Sequence, residues 1–212
     1  MQVYIDFPKR VRTLQAELAR QGIDVLVGTR LKTITHVSGA FVPWRSAVVI
    51  PADGEVQLFT VSMDAVRVAE EGWLKNVVAY ARVPLMEMVV RRLGELRLHA
   101  GRIGFEGGYS WYLPEGNITL DEYRILERGC PRAEFVNLTP VTDRLMLIKE
   151  PEQVQLMRQA TAMCDTAQEA LRSEVRLGMT ETEIAGIAEH VLRDCGSEFA
   201  WTFTGGQEIA SG

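Results

Sequence analysis

Histidine and cysteine are scarce in this chain, with three of each among 212 residues. His36, His99 and His190 lie far apart and match no ligand spacing such as H-E-x-x-H, so structural or surface histidines are expected. Cys130, Cys164 and Cys195 are odd in number and widely spaced, which suggests neither a disulfide framework nor a C-x-x-C clip. Buried free thiols are the expectation, two of them in helical patterns. No run approaches the roughly 18–20 apolar residues of a membrane helix. Met1-Gln2-Val3-Tyr4-Ile5-Asp6 places an acid where a secretory signal would carry positive charge, so a cytoplasmic protein is expected. Basic charge is also short: 23 Lys and Arg against 28 Asp and Glu give a net charge of −5, which argues against a dedicated nucleic-acid binder. Fingerprints are missing too. Gly101-x-x-Gly104-x-x-Gly107-Gly108 is not G-x-G-x-x-G, no G-K-[ST] occurs, and Ser38 beside His36 lacks G-x-S-x-G. A nucleotide-binding Rossmann domain and a serine hydrolase are both disfavoured.

What is present is an ordinary globular composition, 47% apolar and 24% charged. Val11, Leu14 and Leu18 mark a helix over 10–20 that stops at Gly22, and a short apolar strand follows over 24–27. The runs 47–50 and 56–60 flank Asp53-Gly54, whose turn chemistry predicts an antiparallel hairpin. Helices are expected over 63–71, 84–98 and 120–128, with strands over 76–80, 102–105 and 134–137. Hairpin and crossover connections together imply an α/β domain on a mixed sheet.

The pattern breaks around 139–144, which sets a domain boundary between 1–143 and 144–212. Beyond it, Leu156, Ala160, Met163, Ala167 and Leu171 fall on one stripe of a long helix from Pro151. Thr180 and Glu183 form a T-x-x-E capping box for a helix burying Ile184, Ile187, Val191 and Leu192 and ending at Gly196. The connection 29–45 is the longest in the first domain. It carries His36, Trp44 and Arg45, which bind ligands by hydrogen bond, stacking and charge, so these three are the candidate substrate-binding residues.

The order of these pieces resembles the pita-bread metallohydrolase family of Xaa-Pro dipeptidases, aminopeptidase P and creatinase. Gly22-Ile23-Asp24-Val25-Leu26-Val27, Thr35-His36-Val37-Ser38-Gly39, the stretch from Arg45 to Glu55 and Arg102-Ile103-Gly104-Phe105-Glu106 look like the creatinase-type N-terminal domain, with a ribonuclease-H-like arrangement. Ile148-Lys149-Glu150-Pro151-Glu152 followed by Gly178-Met179-Thr180-Glu181 looks like the two helices that open the catalytic domain, and 202–212 looks like a strand entering its active site. The resemblance implies a catalytic centre of two Asp, one His and two Glu on two divalent ions (Mn, Co or Zn) that activate a water. None of those five positions matches here, so no catalytic residue and no metal ligand is assigned. It further implies a homodimer in which the N-terminal domain walls the partner's pocket.

The leading expectation is therefore the N-terminal portion of a metal-dependent hydrolase, cut before its ligands and inactive alone. Its parent would act on an X-Pro peptide or another small amide C–N bond. The alternative is a non-catalytic binding or dimerisation module of the same fold.

Overall fold

The computed structural model describes residues 3–109 and 115–197, so the strand expected over 202–212 lies outside the described residues. The chain divides into two compact units, Asp6–Ile148 and a second that takes in the residues from Lys149 onward.

In the first unit, β1 (Val25–Gly28), β2 (Ala47–Pro51), β3 (Gln57–Val61), β4 (Val77–Tyr80), β5 (Arg102–Phe105) and β6 (Glu134–Asn137) form one sheet. Its order is β4-β3-β2-β1-β5-β6. β2 runs antiparallel to both its neighbours, while β1, β5 and β6 are parallel to one another and β3 is parallel to β4. The expected hairpin is there: Val48 pairs with Leu58 and Ala47 with Phe59.

Helices cover both faces of the sheet, because its central strands are apolar on both sides. On one face α1 (Phe7–Arg20), α2 (Leu31–Ser38) and α3 (Ala65–Glu71) pack Leu14, Leu18, Ile34, Val37 and Val68 against Leu26, Val48, Ile50 and Leu58. On the other, α4 (Leu85–Glu95) and α5 (Leu120–Gly129) pack Met86, Val89, Leu93 and Leu126 against Val25, Val27, Val49 and Ile103. The one-residue alternation along β1 sorts Val25 and Val27 to one layer and Leu26 to the other. Within the glycine run, Gly104 lies in β5 with the Leu138 side chain over it, a close packing contact.

Two sequence expectations need correction here. The connection 29–45 is not a loop throughout, since α2 occupies eight of its residues. Likewise 139–144 is not a break. It begins α6 (Thr139–Leu147), where Pro140 sits in the first turn and Val141 and Leu145 pack on the α1–α2 layer. Both helices are short and mix Thr, Lys, Asp and Arg among few apolar residues, so the 3.6 period is diluted.

The second unit holds α7 (Pro151–Glu174) and α8 (Glu181–Asp194). The Thr180–Glu183 box is made: the Thr180 hydroxyl accepts from the Glu183 N–H, and the Glu183 carboxylate accepts from the Thr180 N–H at 2.8 Å. The expected stripe is covered in part. Ala167 is buried, Met163 and Leu171 are half-buried, and Leu156 and Ala160 face solvent. On α8 only Ala188 is buried, while Ile184, Ile187, Val191 and Leu192 are half-buried. The thiols also differ from expectation: Cys130 is the buried one, and Cys164 is exposed on α7.

Candidate functional site

The parallel strands β1 and β5 are neighbours, yet the connection leaving β1 leads to α2 on one face and that leaving β5 leads to α5 on the other. Such a divergence opens a crevice beyond the carboxyl ends of the strands, the usual ligand position in open α/β sheets. Here the chain fills the crevice with its own carboxylate. Glu106, the residue after β5, is fully buried and accepts from the Thr29 and Arg30 N–H groups, both at 3.1 Å. Its other oxygen accepts from the Thr33 hydroxyl at 2.6 Å and the Thr142 hydroxyl at 2.9 Å. The main-chain N–H groups just before α2 are thereby satisfied from within. Burial pushes the Glu106 carboxyl above its ordinary value, against the opposing pull of the Thr33, Arg30 and Thr142 hydrogen bonds and the Arg30 charge. Asp143 of α6 closes the group from outside through Arg30 at 2.8 Å and Lys32 at 2.6 Å.

A second polar cluster lies where β2 begins, at the same end of the sheet. The Arg45 Nε donates to Glu122 Oε1 at 2.7 Å, and its Nη2 reaches the other Glu122 oxygen. Nη1 donates to the Gly116 carbonyl at 2.7 Å and Nη2 to that of Asn117 at 3.3 Å. Gly116 has φ +77° and faces the Thr29 carbonyl so closely that a Cβ would lie 2.7 Å from it, which leaves room for glycine only. Glu122 also closes the α5 capping box with Thr119. Burial alone would raise the Glu122 carboxyl; the hydrogen bonds from Arg45 and Thr119, with the Arg45 charge, hold it below the ordinary value.

The three candidate side chains are placed differently. Trp44 and Arg45 stand together at the start of β2, Trp44 at 41% exposure and Arg45 held by Glu122. His36 belongs to the last turn of α2, half-buried, its carbonyl facing the Arg10 guanidinium of α1 at 3.5 Å. Glu106 and Glu122 were not singled out from the sequence. Glu122 had a signal, since Thr119-x-x-Glu122 is a capping box. For Glu106 the only hint was an acid directly after an apolar strand.

Among the described residues no group of three or more His, Cys, Asp or Glu could hold a metal ion. The two divalent ions implied by the resemblance do not fit these residues, and no step is derived through them. A shallow hollow along α7, between Val154, Met157, Thr161 and Ala162, brings only Lys149, Arg158 and Asp165 as charged groups.

Comparison with known proteins accounts for this architecture. A sequence model of the Creatinase/Prolidase N-terminal domain matches residues 10–148. The chain belongs to that family. An Xaa-Pro dipeptidase from Lactobacillus helveticus is 29% identical over 86 residues, covering 40% of this chain and 23% of the dipeptidase. The structure of an X-Pro aminopeptidase from Thermotoga maritima superposes with TM-score 0.76 at 20% identity, covering 89% of this chain and 50% of that one. A proline dipeptidase structure from Streptococcus pneumoniae gives TM-score 0.54 at 24% identity, covering 66% of this chain and 98% of that one. The chain thus spans about half the length of the Thermotoga structure and resembles its N-terminal portion. In this creatinase/prolidase N-terminal domain, the mixed α/β sheet is the family's fold, and the Arg45 and Glu106 clusters are polar nodes at the carboxyl end of β1.

Proposed function

We propose that this chain is the N-terminal portion of a dinuclear-metal-dependent hydrolase of the Xaa-Pro peptidase and creatinase group. The observation that carries the reading is the family match over 10–148, joined to relatives named as X-Pro peptidases. The substrate is a small peptide with proline second or another small amide. The residues from Lys149 onward open the catalytic domain, and the metal ligands are supplied by chain beyond them. In a homodimer, the strand-end surface with Trp44 and Arg45, together with His36, walls the substrate pocket of the partner. An exposed aromatic group on a rigid sheet end suits that task.

The test is the intact mass of the polypeptide as its cell produces it, followed by metal content and hydrolysis of X-Pro dipeptides. A mass larger by roughly 150–200 residues, the size of a further domain, with Mn²⁺- or Co²⁺-dependent proline release is expected. A mass matching 212 residues would overturn the reading and leave a binding or dimerisation module.

A further inference from the structure

We propose that Arg45 is a positioning residue, which fixes the exposed Trp44 through a clamp on Glu122 and the 116–117 main chain and does not itself contact the ligand. A guanidinium has five N–H donors, and a ligand carboxylate takes two of them in parallel. The contacts to Glu122 and to the Gly116 and Asn117 carbonyls occupy four of the five. A bidentate ligand would have to break the clamp, and Glu122 would then lose the partner that holds its carboxylate down.

The clamp is one side of a wider brace. The Arg45 carbonyl accepts from the Tyr80 hydroxyl of β4 at 2.6 Å. Next to it the Trp44 carbonyl accepts from the Ser46 hydroxyl at 3.0 Å, and Ser46 also meets the Thr60 hydroxyl of β3 at 2.9 Å. Strands β3 and β4 and helix α5 therefore hold the backbone from the Trp44 carbonyl through Ser46, next to the indole. Phe41 is also exposed nearby in sequence, and its carbonyl is tied to Arg67 of α3 at 2.9 Å. Trp44, at 41% exposure on so fixed a backbone, leaves little main-chain ordering to be done on binding. The role of Trp44 toward a substrate rests on the function proposed above; the clamp itself does not.

The test uses the 212-residue chain labelled with 5-fluorotryptophan and read by ¹⁹F NMR, the Trp44 signal being assigned by its loss in Trp44→Phe. Glu122→Gln and Arg45→Lys are each expected to move and narrow the Trp44 signal toward the solvent-exposed position, leaving the Trp73 signal in place. The double variant should move it no further than the stronger single one, because both changes open the same clamp. A Trp44 signal unmoved by Glu122→Gln, or moved by Arg45→Lys alone, would overturn the proposal, as would an equal shift of Trp73. If either variant fails to fold by circular dichroism, Tyr80→Phe opens the other side of the brace. It is expected to move the Trp44 signal in the same direction, and no movement would again overturn the proposal. No hydrolysis enters this readout, so its failure is separate from a failure of X-Pro cleavage by the parent protein.

Discussion

Glu122 accepts hydrogen bonds both from its own helix terminus and from Arg45, 77 positions earlier in the chain. The first contact is local and written in Thr119-x-x-Glu122; the second exists only after β2 and α5 have docked. Its folded carboxyl is held below the ordinary value, so its contribution to stability is present above the unfolded carboxylate range near about pH 4.3. That contribution is lost as pH falls through the folded value. Glu122→Gln should therefore cost about 1–3 kcal/mol at pH 7, where a charged hydrogen-bond partner is lost. Between pH 5 and pH 3 the variant should lose less stability than the parent chain. Urea unfolding across that range measures both, and parallel pH slopes would contradict the assignment. Glu106 differs in sign: burial raises its folded carboxyl, so its share of stability falls as pH rises from the ordinary value through the raised one. Neither Arg45 nor Glu106 could be given its role from sequence, because their partners are 36 to 77 residues away.

At the scale of elements, legibility followed period and turn chemistry. The Asp53-Gly54 hairpin, the buried strand β1 and the capped start of α8 all have local signals, and each is where those signals put it. Helices α2 and α6 are only eight and nine residues long, too short for a sustained period to stand out, although Ile34 and Val37 in one and Val141 and Leu145 in the other pack on the core. The pair α7 and α8 shows the converse, a clear pattern whose surface is left uncovered. Leu156 is 42% exposed, Met157 55% and Val175 38%. Apolar area of this kind marks an interaction surface. The 212-residue chain should therefore bind a hydrophobic dye or self-associate, and Leu156→Glu with Met157→Glu should reduce either effect. A dye-silent, strictly monomeric chain would show that the helix pair needs no cover.

For the molecule as a whole, the family assignment fixes the fold of residues 10–148. No helix among the described residues is long and apolar enough to cross a membrane. No described cluster could hold a metal ion, and the crevice between β1 and β5 is filled by Glu106. On the function proposed above, which places the metal ligands outside this chain, the 212 residues alone are expected to release no proline from X-Pro dipeptides with Mn²⁺ or Co²⁺, as followed by an amino-acid assay. Metal-dependent turnover by this chain would place ligands within it and refute the proposed division of labour.

The sequence by itself determined the mixed α/β class, the hairpin, most helix and strand positions and the family resemblance, because these rest on short-range period and turn residues. The tertiary structure decided that α2 and α6 exist as helices, that Glu106 plugs the switch-point crevice, and that Arg45 is bound to Glu122. Those outcomes depend on which strand ends are brought side by side, and a carboxylate reveals its partner only when folding has removed the water between them.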